Sequence, residues 1–148
     1  MCFIGQSNKI GAGTAIAFFC SAILVFTARH AGWLHVFYWS AIAEFCLIIP
    51  LVFLVITASR QNRPILYYIQ IELMLSWLVL ELILSYILNI DLRQLGWAVI
   101  GYVALFFAGS IGMISICFRA GKKWGIASII LFIAMTVLVF LQQKVSIQ

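Results

Sequence analysis

Five apolar runs of about twenty residues each, separated by very short polar connections, constrain this chain more than any other feature. The first run, "IGAGTAIAFFCSAILVFTA" at 10–28, has no charged residue. The second, 33–58, has one, Glu44, and the third, 64–90, has Glu72 and Glu81. The fourth, 95–118, and the fifth, 124–142, have none. About 20 apolar residues in helical form cross the hydrocarbon core of a bilayer. The pattern predicts an all-α integral membrane protein, a single domain over 1–148 with five transmembrane helices at those positions. The connections "RHAG", "SRQNR", "DLRQ" and "RAGKK" leave no space between spans for a soluble domain, and each carries Arg or Lys.

Composition agrees. Charged residues make up 9% of the chain and hydrophobic ones 66%, against about 25% charged in a soluble domain. Nine Lys/Arg and four Asp/Glu cannot cover a water-facing surface, so lipid must solvate most of it. The net charge of +5 is spread in ones and twos between apolar runs, which excludes a nucleic-acid stripe and points to anionic headgroups. The first run is longer than a signal-peptide core, and "FTARHAG" lacks an A-x-A-like cleavage pattern, so an uncleaved spanning helix is expected.

Orientation follows from the cations. Lys9, Arg60, Arg63, Arg119, Lys122 and Lys123 fall on one side of five spans, and Arg29, Arg93 and Lys144 on the other. The richer side is expected to be cytoplasmic, giving N-in and C-out. Trp33, Tyr38, Trp39, Trp97 and Tyr102 are placed as aromatic anchors of the outer boundary, and Tyr67, Tyr68 and Trp124 of the inner one. Pro64 opens the third helix. Pro50 lies within the second, where it removes one backbone bond and frees the carbonyl of Cys46.

Association of helices in lipid relies on small residues that let backbones approach. Gly13, Ala17 and Ser21 form such a row on the first helix, and Ala104, Ala108 and Gly112 on the fourth, with Gly101, Gly109 and Ser115 near the same side. Both rows are expected to make tight helix contacts.

The chemistry lies in the carboxylates. An ionisable residue at the centre of a span costs about 2.5–3.5 kcal/mol on insertion scales, and is a functional candidate by default. Glu44 is eight residues past Val36, roughly 12 Å from the outer boundary, and Glu81 is nine before Ile90, roughly 14 Å from the same boundary. The two are expected to meet at one level as a carboxylate pair that shares a proton or binds a cation. Glu72 is nine residues from Glu81, half a turn out of phase, so the two point from opposite faces of one helix. The third helix is therefore expected to be central, with Glu72 as a separate inner-leaflet station. Ser40, Tyr68, Ser76 and Ser85, each one turn from a glutamate, are the expected hydrogen-bond partners.

Other chemistry is weak. His30 and His35 are five apart, not metal-spaced, and the four cysteines form no CxxC. No nucleotide loop, nucleophile elbow or zincin motif occurs, so an enzyme is disfavoured and no cofactor is expected. The leading expectation is proton- or cation-linked transport through Glu44, Glu81 and Glu72, in a homo-oligomer or with other membrane subunits. The alternative is a non-catalytic accessory subunit of a larger membrane complex.

Overall fold

The computed structural model describes residues 2–87 and 96–145, with side chains within 5–28, 30–84 and 100–141. Among these residues the chain is helical between short turns. The elements are α1 (Cys2–Ala31), α2 (Leu34–Cys46), α3 (Ile48–Arg60), α4 (Ile65–Glu81), a π-helical continuation (Leu82–Ile87), α5 (Gly96–Ala120) and α6 (Lys122–Val145). They contain five stretches long and apolar enough to cross a membrane: Gly5–Ala28, Leu34–Arg60, Ile65–Leu84, Ile100–Ala120 and Lys122–Leu141.

The turns have local causes. At the end of α1 the Trp33 N–H reaches back to the Ala28 carbonyl, and at the end of α3 the Arg63 N–H reaches the Ala58 carbonyl. Both are six-to-one closures of a helix C-terminus, which need a left-handed residue just before the closing one. Gly32 (φ 70°) and Asn62 (φ 47°) supply it. Pro64 takes the N-cap of α4, and Ile65 is the first helical residue.

The second span is broken where Pro50 requires it. Pro50 has no N–H to offer Cys46, and α2 gives way to α3 at Leu47, three residues ahead of the proline. The two halves then take different partners. α2 lies along α1, whereas α3 lies against both α4 and α1.

The central element is α1, not the third span. α1 packs along α2, α3, α5 and α6, while α4 packs along α3 and α5 and leaves one face uncovered. The buried residues Gly11, Ala12, Ala15, Phe18, Phe19 and Ala22 of α1 follow helical period, and this is the contact face. The expected row Gly13, Ala17, Ser21 is not that face. Ala17 is exposed and a Cβ on Gly13 would meet nothing within 4 Å. Ser21 is buried, with its hydroxyl donating to the Phe18 carbonyl at 2.9 Å. Gly11 and Ala15, four apart, are the small residues that serve on α1.

On α5 the contact uses Gly112 of the expected row together with Gly109 beside it. A Cβ on Gly109 would lie 3.1 Å from Met74 Cα, and one on Gly112 would lie 3.1 Å from Gln70 Cβ. These two glycines set the close approach of α5 to α4. Ala104 is exposed and Ala108 half-buried, outside the contact. An aromatic cluster fills the space between α1, α4 and α5. Trp77 stacks at 4.9 Å from Phe106 and 5.8 Å from Phe18, ring centre to ring centre.

Candidate functional site

Above that aromatic cluster sits the one described carboxyl with a side-chain donor from another helix. Tyr102 of α5 donates its hydroxyl hydrogen to Glu81 Oε2. Trp77, one turn before Glu81, holds the Tyr102 ring at 5.9 Å between centroids.

Glu44 joins this centre from α2. It is 8% exposed and close enough to Glu81 and to Tyr102 for charge on one to act on the others. Two acidic side chains within electrostatic reach of each other are groups that can bind a cation or pass a proton.

Glu81 is also the last α-helical residue before the backbone widens into π-helix over Leu82–Ile87. Such segments insert a residue into the helical register and often occur at functional sites. The widening alters the i+4 alignment that would stack Ser85 over Glu81, and the Ser85 side chain lies outside the described residues.

Glu81 ends a longer buried stripe on α4. Tyr67, Gln70, Met74 and Trp77 recur at steps of three and four and are all buried. Three of the four carry polar atoms that lack a hydrogen-bond partner: Tyr67 Oη, Gln70 Oε1 and Trp77 Nε1. Ser110 of α5, with its Oγ also unpartnered, is fully buried. An unsatisfied buried polar group costs about 1–3 kcal/mol. A row of them along α4 toward Glu81 is therefore an expensive arrangement unless water meets it. Met74, against Gly109, is the apolar interruption.

The remaining expected residues are placed elsewhere. Glu72 is exposed on the opposite face of α4, within the stripe Ile65, Ile69, Glu72, Ser76, Val79 and Ile83, all of them exposed. It does not join the carboxylate pair, and α4 has no described helix over that face. Ser76 is exposed beside it and Tyr68 is half-buried. Ser40 is buried on α2, but its hydroxyl donates to the Val36 carbonyl at 2.7 Å and not to Glu44. His30 and His35 are both exposed.

No protein-family model matches this chain, and no curated protein or solved structure matches it either. The assignment of function therefore rests on geometry.

Two tyrosines play parts that their reading as boundary anchors does not give them. Tyr102 lies in a row with Phe106, Gly109, Met113 and Ile116, the last four of which are buried. That row was the available signal that its hydroxyl turns inward. Tyr67 is fully buried, and its position four residues before Ile71 and seven before Met74 marks the same inward face.

Proposed function

We propose that this chain is a five-span membrane protein, N-in and C-out, that moves protons or small cations through a centre formed by Glu44 and Glu81. The observation that carries the reading is the buried row Tyr67, Gln70 and Trp77, whose polar atoms have no protein partner, leading to the half-buried Glu81 with Glu44 in reach of its charge. A purely structural glutamate needs one donor, and Tyr102 supplies it to Glu81. Neither a second coupled glutamate nor an approach lined with unsatisfied groups is required for packing. The orientation rests on the six Lys/Arg residues at the end bearing the α3–α4 and α5–α6 turns, against three at the other.

The test is flux in liposomes reconstituted with the purified protein. A proton or monovalent-cation gradient should dissipate through the wild type, and far more slowly through Glu44→Gln and Glu81→Gln. Unchanged flux in both variants would remove the carboxylate pair from any pathway.

A second reading, an accessory subunit of a larger membrane assembly, is favoured by one different observation. Glu72 and Ser76 lie on an exposed apolar face of α4, where lipid gives a carboxyl no partner. A second copy or another subunit covering that face would supply one. Co-purification in mild detergent, compared between wild type and Glu72→Leu, tests it.

A further inference from the structure

We propose that the uncovered face of α4 docks a transmembrane helix of another protein, one that carries a lysine or arginine at the depth of Glu72. Ile65, Ile69, Glu72, Ser76 and Val79 recur along α4 at alternating steps of four and three, and Ile83 continues the row just past its end. All six are exposed. That spacing forms the seam along which one helix lies beside another at a shallow crossing angle. α4 packs along α3 and α5, with Tyr67, Gln70, Met74 and Trp77 on its buried side. The row faces the other way, and the described chain leaves it uncovered.

Charge selects the occupant. Glu72 is eight residues past Pro64, about 12 Å along the helix axis, and its neighbours up and down the row include Ile65, Ile69 and Val79. The stretch 65–84 contains no Lys or Arg, and among the described residues none bonds to Glu72. A carboxyl within a span is costly in lipid, and pairing with an opposite charge relieves the cost. A wholly apolar helix laid on the row would cover Glu72 and leave that cost in place. A second copy docked through the same face would bring Glu72 toward Glu72, and like charges repel. A basic side chain on a foreign helix meets the opposite charge. Its remaining N–H groups have a further acceptor in the hydroxyl of Ser76, one turn beyond Glu72. Ile65, Ile69, Val79 and Ile83 give the rest of the contact its apolar surface, so the partner helix is apolar apart from that one residue. This names the partner of the accessory-subunit reading and rests on it; it does not depend on transport.

The experiment measures energy transfer between the labelled full chain and labelled synthetic transmembrane peptides in phosphatidylcholine vesicles. The peptides are Leu/Ala helices with one Lys at the depth of Glu72, with one Lys two turns away from it, or with Leu in its place. The first should bind about tenfold more tightly than the other two, as expected for one charge-assisted bond. The chain's net charge of +5 repels a cationic peptide, so a preference for Lys at a single depth reports a local carboxyl. Glu72→Gln should abolish the preference. Glu72→Asp, which keeps the charge, should retain part of it and guards against a folding defect. Equal binding of the three peptides, or tighter association of the chain with its own copies than with any peptide, would overturn the inference and leave the accessory-subunit reading standing. Association with no peptide and no second copy would overturn both.

Discussion

The hydroxyl of Tyr102 donates to the carboxyl of Glu81, across the contact between α5 and α4. That bond separates what holds the bundle together from what the site does. Tyr102→Phe keeps the ring against Trp77 and removes the hydroxyl that donates to Glu81. It should lower unfolding stability in detergent by about 1–3 kcal/mol. Glu81→Gln keeps an acceptor for Tyr102, so its stability should stay near wild type while flux is lost. If Glu81→Gln proves as destabilised as Tyr102→Phe, the glutamate is a packing residue.

The α4–α5 contact depends on two glycines, Gly109 and Gly112, and not on Ala104 or Ala108. A methyl group at Gly109 would stand 3.1 Å from Met74 Cα and 3.3 Å from Met74 N, atoms that cannot move without moving the helix. Gly109→Ala should therefore cost about 1–3 kcal/mol, the usual range for overpacking. Gly13→Ala meets open space and should be neutral or gain up to about 1 kcal/mol from helix propensity. Thermal melts of the two variants side by side check the ranking.

The contrast shows what the sequence carries and what it does not. The five helices long and apolar enough to cross a membrane are legible because apolar length alone reports them, and α1 through α6 keep close to the runs that composition marks out. The opposite phases of Glu72 and Glu81 are legible too, since nine residues at helical pitch is a fixed rotation. Which side of each helix meets protein is not. In lipid, apolar residues face inward and outward alike, so Gly13–Ala17–Ser21 and Gly11–Ala15 look equivalent until the neighbours of α1 are known. Expecting α4 at the centre followed from giving both its glutamates a protein partner. The structure places α1 there and leaves Glu72 outside. The inward turn of Tyr67 and Tyr102 is not legible for a related reason, because a tyrosine near the end of a long apolar helix suits the boundary and the interior equally well.

Glu72 gives the next prediction. It stands on the exposed stripe of α4, on the side away from Tyr67, Gln70 and Trp77. Glu72→Leu should leave flux through Glu44 and Glu81 unchanged. It should also ease membrane insertion by about 2.5–3.5 kcal/mol if the site lies near the bilayer centre, read out as yield of inserted protein. Loss of flux in Glu72→Leu would return Glu72 to the pathway and require the covered face of α4 to be redrawn.

Met74 is the apolar step in an otherwise polar stripe, between Gln70 one turn nearer the arginine-rich end and Trp77 one turn nearer Glu81. It is fully buried, and a Cβ on Gly109 would stand 3.2 Å from its sulfur. An unbranched thioether can swing aside without breaking a hydrogen bond, which suits a plug in a path that opens only intermittently. Met74→Gln keeps the length of the side chain and adds an amide at the gap. It should cost about 1–3 kcal/mol of stability where the amide lacks partners, and raise the rate of flux several-fold by extending a continuous polar row to Glu81. Flux that falls or stays constant in a folded Met74→Gln protein would show that ions reach Glu44 and Glu81 by another route.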